Sequence, residues 1–153
     1  MSPNRISGPL IREAPLLRED ASVEEAVRAI LDSGLPALPV VDADGELVGI
    51  FGEREFLAAL FPGYIGELRF AGFVPKRLDD AFEKRAACRK EPVAKHMTTD
   101  HVDVSEDVSD VQVAETFLHH RVRILPVRGT DGLKGVITRG DFFTQLAERF
   151  LQA

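Results

Sequence analysis

The chain carries a single cysteine, Cys88, so no intrachain disulfide can form, and a reducing compartment suits it. It also lacks an excess of positive charge. Nineteen Lys and Arg stand against 25 Asp and Glu, a formal net charge of −6, which argues against a general nucleic-acid binder because neutralising phosphates needs a basic face. Long hydrophobic runs are missing too. The start, MSPNRISGPLIREAPLL, has no continuous apolar stretch of the signal-peptide kind, and no run approaches membrane-spanning length, so the expectation is a soluble, cytoplasmic protein with no membrane partner. The strings of common catalysts are absent as well: there is no nucleophile elbow and no P-loop. The four histidines and Cys88 show no zinc-ligand spacing, and His119 and His120, adjacent on a helix, diverge by about 100° and cannot share one ion as an i, i+4 pair could. No catalytic residue, no metal site and no cofactor are therefore expected.

What is present is ordinary globular composition, 44% hydrophobic and 29% charged, in 153 residues. That length buries roughly two thirds of the unfolded surface and suits one domain or two small fused units. The chain repeats itself. Residues 22–60 align with residues 109–146 with one residue deleted in a turn. Ser22 falls on Ser109, and Ala26, Val27, Ile30 and Leu31 fall on Val113, Ala114, Phe117 and Leu118, a spacing that makes one face of a helix. Both copies carry a capping box, Ser22 with Glu25 and Ser109 with Gln112. Leu38-Pro39-Val40 and Leu125-Pro126-Val127 read as strands. Turns rich in Asp and Gly follow, then second strands over 47–51 and 133–137. A closing helix repeats Phe56, Leu57 and Leu60 as Phe142, Phe143 and Leu146, and short extended pieces at 15–17 and 102–104 precede the two units. One unit of this size stands near the limit of an independent core, so the two copies are expected to pair.

The second copy ends in GVITRGD, residues 135–141, where Thr138 can cap a helix and Asp141 can return a hydrogen bond to the cap. With the repeated helices, the Leu-Pro-Val strands and the Met97-Thr98 lead-in, this string resembles a tandem pair of cystathionine β-synthase (CBS) domains, the regulatory Bateman module. The resemblance covers nearly the whole chain outside about residues 62–92. It implies an α/β (α+β) fold of two β-α-β-β-α units packed through their sheets, with a first CBS domain at 10–61, an inter-domain helical segment at 62–92 and a second CBS domain at 93–150. It further implies a non-catalytic homodimer that binds an adenosine-containing ligand between the domains and regulates an attached or partner protein.

The residues agree chemically with that implication. Asp141 can accept hydrogen bonds from a ribose diol, while Thr138 and the free N–H groups of a helix N-terminus suit a phosphate. Arg139, with Arg121 and Arg123, would add positive charge, and Val102, Val122 and Ile124 would wall an adenine. By match to the family pattern, Thr98, Thr99 and His101 join the ligand-facing set. The same Thr138 and Asp141 also make sense as a helix cap alone, and Arg121 and Arg123 as solvated charges. In the first copy the string is GIFGERE, residues 49–55, so Gly52, Glu53 and Glu55 replace Thr138, Arg139 and Asp141 and imply a weaker site. AMP, ADP, ATP, S-adenosylmethionine and NAD all remain open, as does a ligand-free dimerisation or interaction scaffold. Between the copies, Leu78, Ala81, Phe82 and Arg85 fit an amphipathic helix ending near Pro92. Phe61, Tyr64, Phe70 and Phe73 are expected to cover the module or an interface, and Lys84, Arg85, Arg89, Lys90, Lys95 and His96 to form a solvated basic stretch.

Overall fold

The computed structural model describes residues 5–61 and 77–153; Tyr64, Phe70 and Phe73 lie outside them. The first repeat consists of β1 (Leu17–Arg18), α1 (Val23–Ser33), β2 (Ala37–Val41), β3 (Leu47–Gly52) and α2 (Glu53–Leu60). The second follows the same order with β4 (Val104–Ser105), α4 (Asp110–His119), β5 (Ile124–Gly129), β6 (Gly132–Thr138) and α5 (Arg139–Gln152). Between them lie α3 (Leu78–Lys84) and two short 3-10 turns, Ala86–Lys90 and Val93–Lys95. Each repeat forms a three-stranded sheet, β1-β2-β3 or β4-β5-β6, whose first pair is parallel and whose second is antiparallel.

Local chemistry explains the element starts. Ser22 Oγ accepts the N–H of Glu25 at 3.1 Å, and Ser109 Oγ accepts that of Gln112 at 3.2 Å while Gln112 Oε1 accepts the N–H of Ser109 at 3.1 Å, a complete capping box. The first hairpin is held by Asp42, whose Oδ1 accepts the N–H groups of Asp44 and Glu46 at 2.9 and 3.0 Å. Gly45 and Gly132 supply the positive φ, 82° and 112°, that the two turns need.

The halves are interlocked rather than merely adjacent. One apolar cluster contains Leu38, Val40 and Phe51 of the first repeat together with Ile124 and Val136 of the second, and Cys88 and Val93 of the connector. The other joins Val113, Leu125, Val127, Ile137 and Phe142 to Ile6, with Leu10 and Ile11 packed against it. Each repeat is thus completed by the segment that precedes the other. Two isolated bridges express the same crossing: Thr98 pairs with Ile50 on β3, and Arg12 pairs with Val136 on β6. Gly49 and Gly135 leave room for this approach, since a Cβ at either would stand 2.8 Å from Thr98 O or 2.3 Å from Arg12 O.

Of the four phenylalanines on α2 and α5, two turn inward. Phe142 is buried and stacks at 5.9 Å on Phe117, and Phe56 packs against the first cluster, whereas Phe143 and Phe150 remain 68% and 77% exposed. In α3 only Ala81 is buried; Leu78 and Phe82 face water for about half their area, so the expected apolar face is narrow. Among the described residues no helix is long and apolar enough to cross a membrane.

Candidate functional site

A cleft of about 1000 Å³ opens where the two repeats meet. Its apolar walls are Pro36 and Ala37 before and at the start of β2, Ile50 on β3, and Val122 and Ile124 at the start of β5. Pro36-Ala37 and Arg123-Ile124 are equivalent positions of the two repeats, so both copies deliver the same piece of chain to one space. Polar groups enter from three directions. The N-terminus of α2 brings Glu53 and Glu55, the lead-in to the second repeat brings Thr98, Asp100 and His101, and the end of α4 brings His119, His120 and Arg121.

Several of these groups are already partnered across the repeats. Glu55 Oε1 accepts the N–H of Gly52 at 2.9 Å, which fixes the first turn of α2, and Oε2 accepts the Thr98 hydroxyl at 2.6 Å. Arg123 Nη1 donates to Glu53 Oε1 at 2.8 Å, an ion pair 70 residues apart in sequence and more than half exposed on both sides. His101 presents a buried Nδ1 with no hydrogen-bond partner among the described residues. Arg54 and Arg121 line the cleft with no ion pair among the described residues.

The residues singled out in the sequence therefore fall into two groups. Thr98, His101, Val122, Arg123 and Ile124, expected beside the second motif, gather instead with Glu53 and Glu55 of the first. Thr138 and Asp141 do not line that cleft, although Thr138 pairs with Ile124 across the β5–β6 ladder. Thr138 Oγ1 accepts the N–H of Asp141 at 3.0 Å, the capping half of its predicted role, but the Asp141 carboxylate is met by Arg12 Nη1 at 3.3 Å instead of returning a bond to the cap. Arg139 is exposed at the start of α5, its N–H donating to Arg123 O at 3.0 Å. Thr99 is exposed and does not line the cleft; Val102 packs against the second apolar cluster; Gly52 is buried beneath the cleft, in contact range of Ala37 and Pro36. Sequence reasoning missed Pro36, Ala37, Ile50 and Asp100. The signal for the first two was available, because the positions equivalent to Arg123 and Ile124 could have been read across the repeat.

The CBS domain family model matches residues 10–62 and 93–148. The chain belongs to that family, with two copies of the domain. It is 30% identical over 121 residues to the uncharacterized protein YlbB of Bacillus subtilis, covering 78% of this chain and 67% of that one. It spans 56% of the length of a second relative, the chloroplastic CBSX1 of Arabidopsis thaliana, at 27% identity over 82% of this chain. Among solved structures it resembles the CBS-domain containing protein ATU1752 of Agrobacterium tumefaciens, with a TM-score of 0.65 and 26% identity, covering 88% of this chain and 90% of that one. The fold is shared with CBSX2, solved in complex with AMP, at a TM-score of 0.64 and 23% identity over 92% and 95% of the chains.

Proposed function

We propose that the chain is a non-catalytic, cytoplasmic, homodimeric regulatory module that binds an adenosine-containing ligand between its repeats and passes occupancy to a partner protein. The observation that carries this reading is the cleft itself, with a carboxylate, Glu55, held at a helix N-terminus between apolar walls drawn from both repeats. A ribose diol can donate to Glu55 in place of Thr98, and a base fits between Val122, Ile124 and Ala37. CBSX2, solved with AMP, gives the same fold a nucleotide precedent. Because one ligand would touch both repeats, its binding draws them together, which is the means of transmission.

Calorimetry and thermal shift with AMP, ADP, ATP, S-adenosylmethionine and NAD test the proposal. At least one should bind, and Glu55→Ala should weaken it at least about tenfold by removing one or two charge-assisted hydrogen bonds, each about 1.5 to 3 kcal/mol. Asp141→Ala should leave binding unchanged. The opposite pattern would move the ligand to the second motif, where Arg12 must first leave Asp141. No response to any of the five at millimolar concentration would favour a second reading, a ligand-free interaction scaffold, which draws support from the internal pairing of Arg123 with Glu53 and of Arg12 with Asp141.

A further inference from the structure

Away from the cleft, the connector folds three different metal-ligating side chains onto one point. The Sγ of Cys88, a carboxylate oxygen of Glu91 and a ring nitrogen of His96 all lie within 4.8 Å of one another. We propose that these three residues form a binding site for a soft divalent cation of the zinc class.

The donor set is chemically apt. Thiolate, carboxylate and imidazole are the three side-chain donors that zinc accepts, at about 2.0 to 2.3 Å, and three protein ligands leave a fourth position open. Tetrahedral geometry asks for ligand atoms about 3.3 to 3.6 Å apart, so from separations of up to 4.8 Å the side chains need to draw in by up to about 1.5 Å. Their backbone is already fixed. The 3-10 turn Ala86–Lys90 places Cys88, whose N–H donates to Arg85 O at 2.9 Å; Glu91 N–H donates to Cys88 O at 3.0 Å; and His96 N–H donates to Val93 O at 2.9 Å. The turn is tied to the first repeat by the N–H of Val23 on Glu91 O and that of Val93 on Ala21 O, at 2.9 and 2.8 Å.

Burial favours a soft ion and still allows entry. Cys88 is 4% exposed, while the Glu91 side chain is 22% exposed and so reachable from water. His96 Nε2 lies 2.8 Å from Glu91 Oε1, a hydrogen bond that an ion would replace as the two atoms part by about 0.5 Å. Two cations share the space. Lys95 Nζ meets Glu91 Oε2 at 2.6 Å but is 60% exposed and can swing into solvent, and Arg85, 3.5 Å from Glu91 Oε1, keeps a separate bond from Nε to Ala59 O at 2.9 Å when displaced. On binding, the thiol releases its proton to water and the ion sheds hydration waters, so the thiolate and the Glu91 carboxylate together balance the dication. The spacing Cys-x2-Glu-x4-His is not legible in the sequence, because the two 3-10 turns that unite these residues have no periodicity to announce them.

The test uses the full, untagged chain, reduced and metal-free, titrated with Co²⁺ and then with Zn²⁺. One Co²⁺ per chain should bind and give a thiolate-to-cobalt charge-transfer band in the near ultraviolet, which Zn²⁺ abolishes. Since Cys88 is the chain's single cysteine, that band reports on it alone. His96→Gln and Glu91→Gln should each weaken binding at least about tenfold. Lys95→Ala, a surface change that leaves the fold intact, should tighten binding severalfold by removing the competing ammonium. Absence of the band in the wild-type chain, an unchanged affinity in both His96→Gln and Glu91→Gln, or weaker binding in Lys95→Ala would overturn the proposal.

Discussion

Gly52 and Thr138 occupy the same position in the two repeats, and their difference has a steric cause. A Cβ on Gly52 would stand 2.3 Å from Ala37 Cβ and 2.6 Å from Pro36 O. Opposite Thr138 stands Ile124, at the same place in its ladder, and the hydroxyl is accommodated. Restoring the family hydroxyl with Gly52→Thr should therefore cost stability, about 1 to 3 kcal/mol by overpacking, without improving ligand affinity. Urea denaturation with parallel calorimetry checks both halves; a variant of wild-type stability with tighter AMP binding would contradict the steric account. The Glu53 and Arg123 pair makes a contrasting case. Both side chains are largely solvated, so breaking the pair should change stability by no more than about 1 kcal/mol. A phosphate-bearing ligand, however, meets Glu53 as a repulsive charge and needs Arg123 free. Glu53→Gln should strengthen binding of AMP more than that of uncharged adenosine, and equal effects on the two would show that no phosphate lies near Glu53.

At the scale of elements, the helix starts were legible and their partners were not. Ser22, Ser109 and Thr138 cap α1, α4 and α5 because a short polar side chain before an apolar-periodic run has few better uses. The Leu-Pro-Val strands, both hairpin turns and the order within each repeat follow from short apolar runs, buried residue after residue, and from turn chemistry in the same way. Which lead-in meets which motif could not be read, because Thr98 beside Glu55 and Arg12 beside Asp141 depend on chain segments crossing between repeats. The anchoring of residues 5–12 was equally hidden. Asp110, the first residue of α4, accepts the N–H groups of Ile6 and Ser7 at 2.9 Å each and the hydroxyl of buried Ser7, while Arg5 donates to Val108 O and Glu106 O. Burial pushes the Asp110 carboxyl up, but the hydrogen bonds from Ser7 and Ile6 outweigh it and hold the group below the usual range. The stabilisation is thus complete above the ordinary carboxylate range and is lost as pH falls through the lowered folded value. Hydrogen-exchange protection factors at Ile6 and Ser7 should fall in that acid window before those of the β2 and β5 amides do. Asp110→Ala should produce the same release at neutral pH, at a cost of about 1.5 to 3 kcal/mol. Protection unaffected by either change would mean that apolar contacts of Ile6 and Leu10 alone hold the segment.

For the whole molecule, the decisive feature is an apolar surface that the crossing of the chain leaves uncovered. The interlocked cores consume Phe56 and Phe142, yet α4 and α5 still present Val111, Leu118, Phe143, Phe150 and Leu151, each at least 68% exposed. Leu31 on α1 and Leu57 on α2 continue the theme on the first repeat, as its pseudo-symmetry requires. Fully burying such a side chain is worth about 1.5 to 3 kcal/mol, so five of them against their own copies can exceed an association cost of about 4 to 15 kcal/mol. A second copy of the chain fits this face because both members would bring the same apolar helices to a two-fold axis. We predict a dimer by light scattering, and we predict that Phe143→Asp combined with Phe150→Asp gives a folded monomer, since neither side chain contributes to the buried clusters. A wild-type chain that stays monomeric across a wide concentration range would refute the dimer. A double variant that stays dimeric would move the interface to Leu31 and Leu57, and since Leu57 also lines the cleft, an assembly there would bear directly on ligand binding.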